Sequence, residues 1–391
     1  MSSDVIQHVD LAVLGGGTIG LSAAYYGAAA GLKTALFEQY DFGNDKASSD
    51  GDSRMFRVMY SEEDMAQLAE ASLGQWQEIE HYTGDRLLDR KGLLFYGLPA
   101  SSVEGNLEQC AQVMSQMGIP YTRYSAEQLP RAYDVFKDIP KDYFGLSQPS
   151  GATILVKHSL HTFARLAREH GAHLLTHCKA TIRPCKSGKG PYLIDTPKGI
   201  FEAKHLVLAP GAWSNPVLSQ FGMQLNLTIW QMTVAYYKVD PHLKWPMWYE
   251  FGPTKNNQQQ LFYGFPLLDG SHKIKVSADF TNNQYQDPSQ CTYQPDPRIL
   301  DQMSSFMMHR FKGVEPTPHD AICCLYTMSP DAQVVLDTLP GFENVAVLTG
   351  ESGRAFKYTP VFGRILVQLA TTGKSTYDIS EFSIKRKGII R

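Results

Sequence analysis

The chain has 391 residues, of which 43% are hydrophobic and 19% are charged, and its formal net charge is −3. This length allows two domains, or one nucleotide-binding domain with a large insertion. The charge gives no reason to expect a nucleic acid or an anionic membrane as a partner, and no apolar run approaches the roughly 20 residues that a membrane-spanning helix needs.

A nucleotide-binding βαβ unit is predicted at the N-terminus. The apolar run Leu11–Leu14 is typical of a buried strand, and the next six residues, Gly15–Gly20, read GGGTIG, a G-x-G-x-x-G pattern. A helix of small residues is expected over Leu21–Ala30. A second strand over Thr34–Phe37 then ends at Glu38. This order of elements predicts a doubly wound α/β sheet that binds a dinucleotide.

The glycines and the acidic residue of this unit each have a physical reason. Gly15 allows the tight turn, Gly17 lets the backbone approach a pyrophosphate, and Gly20 lets helix and strand pack closely. The pyrophosphate is expected on the unpaired N–H groups at the helix start. Glu38 is placed to accept hydrogen bonds from an adenosine ribose.

Cellular context is inferred from the ends of the chain and from its cysteines. The first strand begins near residue 9, so we expect no signal peptide, and the C-terminal residues 387–391 are not an organelle address. We therefore expect a cytoplasmic protein. Neither a disulfide framework nor a zinc site is expected, because the cysteines form no C-x-x-C pair and no histidine pair lies near them at ligand spacing. The six cysteines are Cys110, Cys178, Cys185, Cys291, Cys323 and Cys324.

Alternating helices and strands continue to about residue 224. A polar loop at Asp41–Asp52 leads to Arg54 and Arg57, which would share a face on a helical turn. Two cations there can hold anions, one near the cofactor and one near a substrate carboxylate, or can be solvated arginines. The further predicted elements are helices at Glu63–His81, Asn106–Met117 and His158–His170, strands at Leu93–Gly97, Gly151–Leu155, Ala172–His177, Ile200–Ala203 and His205–Ala209, an irregular stretch at Leu129–Tyr143, and a β-meander at Ala180–Pro197.

The second half of the chain predicts a mainly antiparallel sheet and then a return to the first domain. The expected strands are Thr228–Val239, Met247–Phe251, Gln260–Phe265 and Lys273–Phe280, followed by a helix within Pro295–Phe311 and by returning strands at Ala321–Met328, Val334–Asp337 and Val345–Leu348. A final helix over Pro360–Ala370 has Thr359 as its candidate N-cap. The predicted fold is α/β, or α+β overall. Residues 1–85, 148–224 and 320–391 form a Rossmann-type domain, and residues 86–147 and 225–319 form a substrate domain.

Six motifs, spread over nearly the whole chain, resemble those of one family. They read SSDGDSRMFRVMY, LAPGAW, YGFP, CLYTMSPD, GESGRAFKY and TGKSTYDISEFSIKR. The chain resembles the monomeric sarcosine oxidase family of FAD-dependent amine and amino acid oxidases. Within that family, its sequence segments are similar to those of the piperideine-2-carboxylate oxidase of nikkomycin biosynthesis. The resemblance implies that FAD is covalently bound through a cysteine, and the matching residue is Cys324. By the residues alone Cys323 is a rival, although consecutive strand residues point to opposite faces, so that only one can reach the flavin.

The resemblance also implies roles for four cations. Arg57 and Lys357 match the ligands of the substrate carboxylate, which would orient the substrate over the flavin. Arg54 matches an arginine that lies close to the flavin ring. Lys275 matches the lysine that the sarcosine oxidases use to activate oxygen, but Lys273 is two residues away and would share its face.

Arg354 and Asp279 are departures from the family, which has histidines at both positions. Arg354 suits a substrate with a second anionic or polar group, or pairs with Asp279. Asp279 acts as a base, anchors a substrate ammonium, or is a buried partner of Arg354. The aromatic candidates for a cage around the substrate are Tyr263, Trp248, Phe356 and Tyr358, although for Phe356 a position in the core is favoured over the cage.

The predicted enzyme oxidises a C–N bond of a secondary or cyclic amino acid to an imine and reduces O2 to hydrogen peroxide. We expect a monomer with no nucleic acid, membrane or metal partner. The residues predicted to bind the cofactor are Gly15, Gly17, Thr18, Ile19, Gly20, Glu38, Gln39, Ser48, Ser49, Arg54, Gly211, Trp213, Cys324, Gly350, Gly353 and Lys357, and those predicted at the catalytic site are Arg57, Lys275, Lys357, Arg354, Asp279 and Tyr263. Two rival classes remain: a nicotinamide-dependent amino or imino acid dehydrogenase, and a flavin-binding protein without turnover.

Overall fold

The computed structural model of the protein describes residues 6–99, 102, 105–183, 188–255 and 258–391. Cys185, and the part of the predicted meander at residues 184–187, lie outside these ranges.

The described chain contains both helices and strands along its length. The strands are β1 Gln7–Leu14, β2 Thr34–Phe37, β3 Ser53–Phe56, β4 Leu88–Asp89, β5 Leu93–Gly97, β6 Thr122–Ser125, β7 Phe144–Gln148, β8 Ala152–Leu155, β9 His173–Leu175, β10 Thr181–Arg183, β11 Tyr192–Thr196, β12 Gly199–Leu208, β13 Thr228–Lys238, β14 Met247–Lys255, β15 Gln258–Gly264, β16 Lys273–Ala278, β17 Gln284–Tyr285, β18 Asp320–Met328, β19 Val335–Thr338 and β20 Val345–Thr349. The α-helices are α1 Thr18–Ala29, α2 Glu63–Thr83, α3 Leu107–Gln116, α4 Leu129–Ala132, α5 Val156–Glu169, α6 Ser214–Leu218, α7 Pro297–Arg310 and α8 Thr359–Thr372. Short 3-10 turns lie at Gly211–Trp213, Ser219–Phe221, Pro288–Gln290, Ala355–Tyr358 and Ser380–Phe382.

The helix ends follow local side-chain chemistry. Asn106 begins α3, and its side chain accepts from the backbone N–H groups of the second and third helical residues. Asp296 caps α7, where its side chain accepts from the backbone N–H of Arg298 and proline occupies the first turn. Helices α2 and α8 end at glycines in the left-handed conformation, Gly84 and Gly373, where a side chain would be strained.

The first sheet has eight strands with a parallel centre. Strands β20, β12, β1, β2 and β9 run parallel in that spatial order. Helix α1 packs against α5 and α8. The C-terminal half of β1, Leu11–Leu14, is buried because a separate apolar cluster packs on each face of the strand, as the apolar run predicted. The Rossmann-type unit predicted from the sequence is confirmed.

The second sheet has nine strands and is mainly antiparallel, as expected. Its order is β17-β13-β16-β15-β14-β5-β7-β6, with β18 also paired to β13. Only the pairing of β14 with β5 is parallel among the pairs described in this sheet. A three-stranded sheet, β3-β8-β4, lies separately from both.

Three local expectations were wrong. Strand β18 was expected to return to the first domain, but it pairs antiparallel with β13 from Thr228 to Tyr236, and so belongs to the second sheet. The division into domains otherwise stays a prediction. Arg54 lies on strand β3 rather than on a helical turn, because residues 53–56 pair with β8. Helix α8 begins at Thr359 itself, whose hydroxyl donates to the carbonyl oxygen of Phe356 at 2.7 Å instead of capping the helix.

Candidate active site

A cavity of about 340 Å³ lies where the glycine-rich turn joins β1 to α1, a size in the range of cofactor sites. Gly15 has φ of +101°, and a Cβ there would lie 2.2 Å from the carbonyl oxygen of Ala209. A Cβ on Gly20 would lie 1.8 Å from the carbonyl oxygen of Gly15. Only glycine fits at either position, so the chain can turn tightly and leave the N-terminus of α1 facing the cavity.

The acidic residue predicted to bind a ribose lies at the rim of the same cavity. The Glu38 carboxylate accepts hydrogen bonds from the backbone N–H of Gly16 at 2.6 Å and of Tyr40 at 2.8 Å. Burial raises the pKa of Glu38, and these two hydrogen bonds oppose that shift. Elsewhere in the lining, the Ser49 hydroxyl accepts from the N–H of Thr18 at 3.1 Å.

Most of the predicted cofactor residues line this cavity. They are Gly15, Gly17, Thr18, Ile19, Gly20, Glu38, Gln39, Ser48, Ser49, Gly211 and Trp213. Gly350 lines neither this cavity nor the next one described, because its positive φ turns the chain at the end of β20 and brings the following residue, Glu351, to the wall. Sequence reasoning missed Glu351, although it lies inside a quoted motif. Burial raises the pKa of its carboxyl to about 7.

A second, smaller cavity brings together all six residues predicted at the catalytic site. Its walls come from β3, the second sheet and the turn before α8. The lining residues are Arg54, Met55, Arg57, Val234, Tyr249, Tyr263, Phe265, Lys275, Asp279, Cys324, Tyr326, Ser352, Gly353, Arg354, Phe356 and Lys357.

Arg57 and Lys357 are buried in this cavity. The Arg57 guanidinium donates to the carbonyl oxygen of Met59 at 3.1 Å and lies 4.1 Å from the centre of the Tyr60 ring. The Lys357 ammonium donates to the carbonyl oxygen of Arg354 at 2.8 Å. The backbone of Lys357 is anchored in turn, since its carbonyl accepts from Trp76 on α2 at 2.9 Å.

The pKa of the Tyr60 phenol is affected by both of these cations and by Arg354. Burial opposes the ionisation of Tyr60, but the charges of Lys357, Arg57 and Arg354 favour it, and its pKa is lowered overall. Three cationic groups therefore lie within electrostatic reach of one buried hydroxyl.

Arg54 holds the loop that precedes it. Its guanidinium donates to the carbonyl oxygens of Ser48 and Asp50 at 2.7 Å and of Ser53 at 2.8 Å. It also lies 5.7 Å from the centre of the Phe356 ring. Arg54 thus fixes the loop between the two cavities and lines the second one.

Of the two rival lysines on β16, only Lys275 lines the second cavity. Its ammonium donates to the carbonyl oxygen of Ser53 at 2.7 Å and lies over the ring of Phe265. Burial and then the charge of Arg54 lower the pKa of Lys275 to about 7. Lys273 shares its face, as expected, but lies in a separate open cleft that Lys275 also borders.

The two adjacent cysteines of β18 face different surroundings. Cys324 pairs with Met232 across the strands, packs with Val234 and Tyr326, and lines the second cavity. Burial raises its pKa, although Arg54 and Lys275 oppose that shift. Burial raises the pKa of Cys323 to about 12. The described cysteines, which exclude position 185, are all free thiols.

Tyrosines and Asp279 form the opposite wall of the cavity. The Tyr249 hydroxyl donates to the Asp279 carboxylate at 2.8 Å, and the hydroxyls of Tyr263 and Tyr326 lie 3.0 Å apart. The rings of Tyr249 and Tyr263 stack at 5.9 Å. Tyr249 and Tyr326 were missed, yet Tyr326 lies two residues after Cys324 and so shares its face of the strand.

Two members of the predicted aromatic cage lie elsewhere. Trp248 packs against Phe306 and Phe311 on the other face of β14, because side chains alternate along a strand. Tyr358 is fully buried between Tyr60 and α8. Tyr263 and Phe356 do line the cavity.

Within the described residues, no group of three or more His, Cys, Asp or Glu side chains could hold a metal ion. In that same part of the chain, no helix has the length and apolar character needed to cross a membrane.

Comparisons with known proteins agree over nearly the whole chain. The family model described as FAD dependent oxidoreductase matches residues 10–369. A monomeric sarcosine oxidase from Bacillus sp. (strain NS-129) is 27% identical over 389 residues, which are 98% of each chain. An N-methyl-L-tryptophan oxidase from Salmonella arizonae is 27% identical over 382 residues, which are 96% of this chain and 98% of that one.

A solved structure is also similar to this chain in its fold. It is NikD, described as an unusual amino acid oxidase essential for nikkomycin biosynthesis. It matches with a TM-score of 0.88 and 29% identity over 96% of this chain and 97% of its own. The resemblance expected from the motifs is confirmed.

Proposed function

The chain belongs to the family of FAD-dependent oxidoreductases, and from this premise we propose that it oxidises the C–N bond of a secondary or cyclic amino acid to an imine, with O2 reduced to hydrogen peroxide. The observation that carries the proposal is the second cavity, where Arg57, Lys357 and Cys324 meet beside the dinucleotide cavity. The names of the relatives, which are oxidases of N-methyl and other amino acids, support the substrate class.

The residues present fit FAD. The two glycines that admit no Cβ leave the N-terminus of α1 open toward the cavity, where unpaired N–H groups favour a pyrophosphate. Glu38, held by two backbone N–H groups, lies where an adenosine ribose can donate to it. When bound, FAD supplies the acceptor for two electrons from the substrate and their transfer to oxygen.

Arg57 and Lys357 would bind the substrate carboxylate. Both are buried, so a carboxylate between them forms charge-assisted hydrogen bonds away from water, where such bonds are strong. This contact holds the α-carbon and the amine in one orientation. The positive groups also lower the pKa of a bound amine, so that the neutral, reactive form is favoured.

We propose that FAD is attached covalently through Cys324. Cys324 would hold the flavin through a thioether: an S–C bond would replace the thiol S–H bond and one C–H bond of the flavin methyl group, and O2 would be the oxidant that takes up the two electrons released. The position of Cys324 in the second cavity, beside Arg54 and Lys275, supports this choice over Cys323.

Lys275 is proposed to assist the reaction with oxygen. A fixed cation stabilises negative charge as it develops on oxygen. Because the pKa of Lys275 is lowered to about 7, its charged fraction changes near neutral pH.

The test is an anaerobic and an aerobic assay of the purified protein. Acid precipitation should give a yellow pellet, and N-methyl and cyclic amino acids should bleach the flavin without air and release peroxide with air. A colourless protein that turns over with NAD would favour the dehydrogenase class. Bound flavin that no amino acid bleaches would favour a protein without turnover.

We further propose that the protein acts as a monomer in the cytoplasm. The monomeric relative supports the first part, and the free thiols described suit a reducing compartment. Sedimentation of the holoprotein and fractionation of cells would test both parts.

A further inference from the structure

Tyr60 lies behind the wall of the second cavity, against both cations that are proposed to bind the substrate carboxylate. It is 1% exposed and is not one of the described residues that line the cavity. The centre of its ring lies 4.1 Å from the central guanidinium carbon of Arg57 and 6.0 Å from the ammonium nitrogen of Lys357. One buried ring is therefore shared by two cations that lie far apart in the chain.

Contacts on both sides of Tyr60 fix this arrangement. Arg57 follows strand β3, and its guanidinium folds back to donate to the carbonyl oxygen of Met59 at 3.1 Å. On the other side, the ring of Tyr60 lies 6.3 Å from that of Tyr358, the residue after Lys357. The Tyr358 hydroxyl donates to a backbone carbonyl oxygen of α2 at 3.2 Å. Tyr60 thus joins the segment that carries Arg57 to the turn that carries Lys357.

A shared ring suits two buried groups of like charge. The face of an aromatic ring attracts a cation, and the attraction is stronger where water is excluded. Two cations that converge on one carboxylate repel each other, whatever other partners each of them has, and this repulsion is larger away from water. The ring offsets part of it before a substrate arrives. Both charges act at Tyr60, because burial raises the pKa of its phenol but Lys357 and Arg57 lower it overall.

We propose that Tyr60 is a positioning residue whose ring holds Arg57 and Lys357 together, so that the substrate carboxylate meets a preformed pair of cations. This inference rests on the proposed function, because it concerns the carboxylate site of the same cavity. Tyr60 acts through the two cations, since its own side chain does not line the cavity.

The test compares two ligands that differ in one charge and little in shape. Cyclopentanecarboxylate and cyclopentanecarboxamide lack the amine that would be oxidised, and each is titrated into the purified holoenzyme while the flavin absorbance is followed. Tyr60→Leu removes the ring and should weaken binding of the carboxylate about tenfold or more, while binding of the amide changes by less than about threefold. Tyr60→Phe keeps the ring and should bind both ligands within about threefold of the native protein.

Steady-state kinetics give a second readout. With N-methyl and cyclic amino acids, Tyr60→Leu should raise KM by about the factor found for the carboxylate and should change kcat much less, because the ring acts on binding. Tyr60→Met also lacks the ring and fills its space with an unbranched side chain, so it repeats the test if the leucine variant does not fold.

Phe136→Leu is the matched control for the loss of a buried ring. Phe136 is fully buried in a different apolar cluster, where it packs against the rings of Tyr96 and Phe311. This variant should lower the free energy of unfolding, as Tyr60→Leu does, but should leave KM and the affinity for the carboxylate as in the native protein.

Three results would overturn the inference: native affinity for the carboxylate in Tyr60→Leu, an equal loss for the carboxylate and the amide, or a loss in Tyr60→Phe as large as in Tyr60→Leu. Each of them leaves the oxidase intact if the native enzyme releases peroxide with an amino acid. If no amino acid bleaches the native flavin, the oxidase is rejected, whereas a charge-selective loss of binding in Tyr60→Leu would still support the role of the ring.

Discussion

The cavity at the glycine-rich turn and the second cavity, which is proposed to hold the substrate, are built on different principles. The first is centred on one short stretch, Gly15–Glu38, where glycines with no room for a Cβ bring the backbone to the cavity, and residues 39–49, 178–181, 209–220 and Glu351 complete its lining. The second is formed by side chains from separate parts of the chain, from Arg54 to Lys357. The first should therefore tolerate loss of a side chain, whereas the second should not.

The largest effect is expected at the attachment site. Cys324→Ala should abolish covalent flavin, because no other thiol of the described chain lines the substrate cavity. Cys323→Ala, on the neighbouring residue of the same strand, should retain it. The measurement is flavin absorbance in the acid-denatured pellet. The opposite pattern would show that the strand faces are assigned wrongly.

The next largest effect is expected at the two cations proposed to bind the substrate carboxylate. Arg57→Ala or Lys357→Ala should raise KM about 10- to 100-fold, because each leaves a buried carboxylate half paired, at a cost of roughly 1.5–3 kcal/mol. Lys273→Ala is the matched control, since this lysine lies in the open cleft. Steady-state peroxide release measures the effect. An unchanged KM in both variants would remove the carboxylate assignment.

A smaller effect is expected from pH on the rate at which O2 reoxidises the flavin. The pKa of Lys275 is lowered to about 7, so its ammonium form predominates below pH 7 and decreases about tenfold for each pH unit well above it. The rate of flavin reoxidation by O2 should decrease with it, and Lys275→Met should give a slow rate independent of pH in this range. Stopped-flow reoxidation measures this. A native rate that is constant from pH 6 to 9 would argue against a role for the ammonium.

The smallest effect is expected in the dinucleotide cavity. Ser49→Ala removes one hydrogen bond to the N–H of Thr18, which is worth about 1 kcal/mol. Bound flavin should be retained and the free energy of unfolding should decrease by about that amount in urea. Loss of all flavin in this variant would mean that this cavity depends on side chains as strongly as its neighbour does.

The two cavities also differ in how far the sequence predicted them. The glycine pattern, its flanking strands and Glu38 predicted the first cavity because they are local in the chain. Three of the catalytic candidates, Arg57, Lys275 and Lys357, came from a resemblance. The others were two departures from the family, Arg354 and Asp279, and an aromatic cage candidate, Tyr263, and the roles of all six remain proposals. The sequence analysis wrongly placed Trp248 in the cage, and it missed Tyr249 and Tyr326. Which face of a strand meets a cavity depends on the strands that pair with it, and the sequence does not give those partners.

By itself the sequence determined the βαβ unit, since apolar runs and glycines act through near neighbours. It also determined the alternation that puts Cys323 and Cys324 on opposite faces. Only the tertiary structure decided which face meets the cavity, that β18 belongs to the second sheet, and that Arg354, Arg57 and Lys357 line one cavity. Those facts depend on contacts between residues far apart in the chain, 92 positions for Met232 and Cys324 and 300 positions for Arg57 and Lys357, and such contacts leave no local pattern.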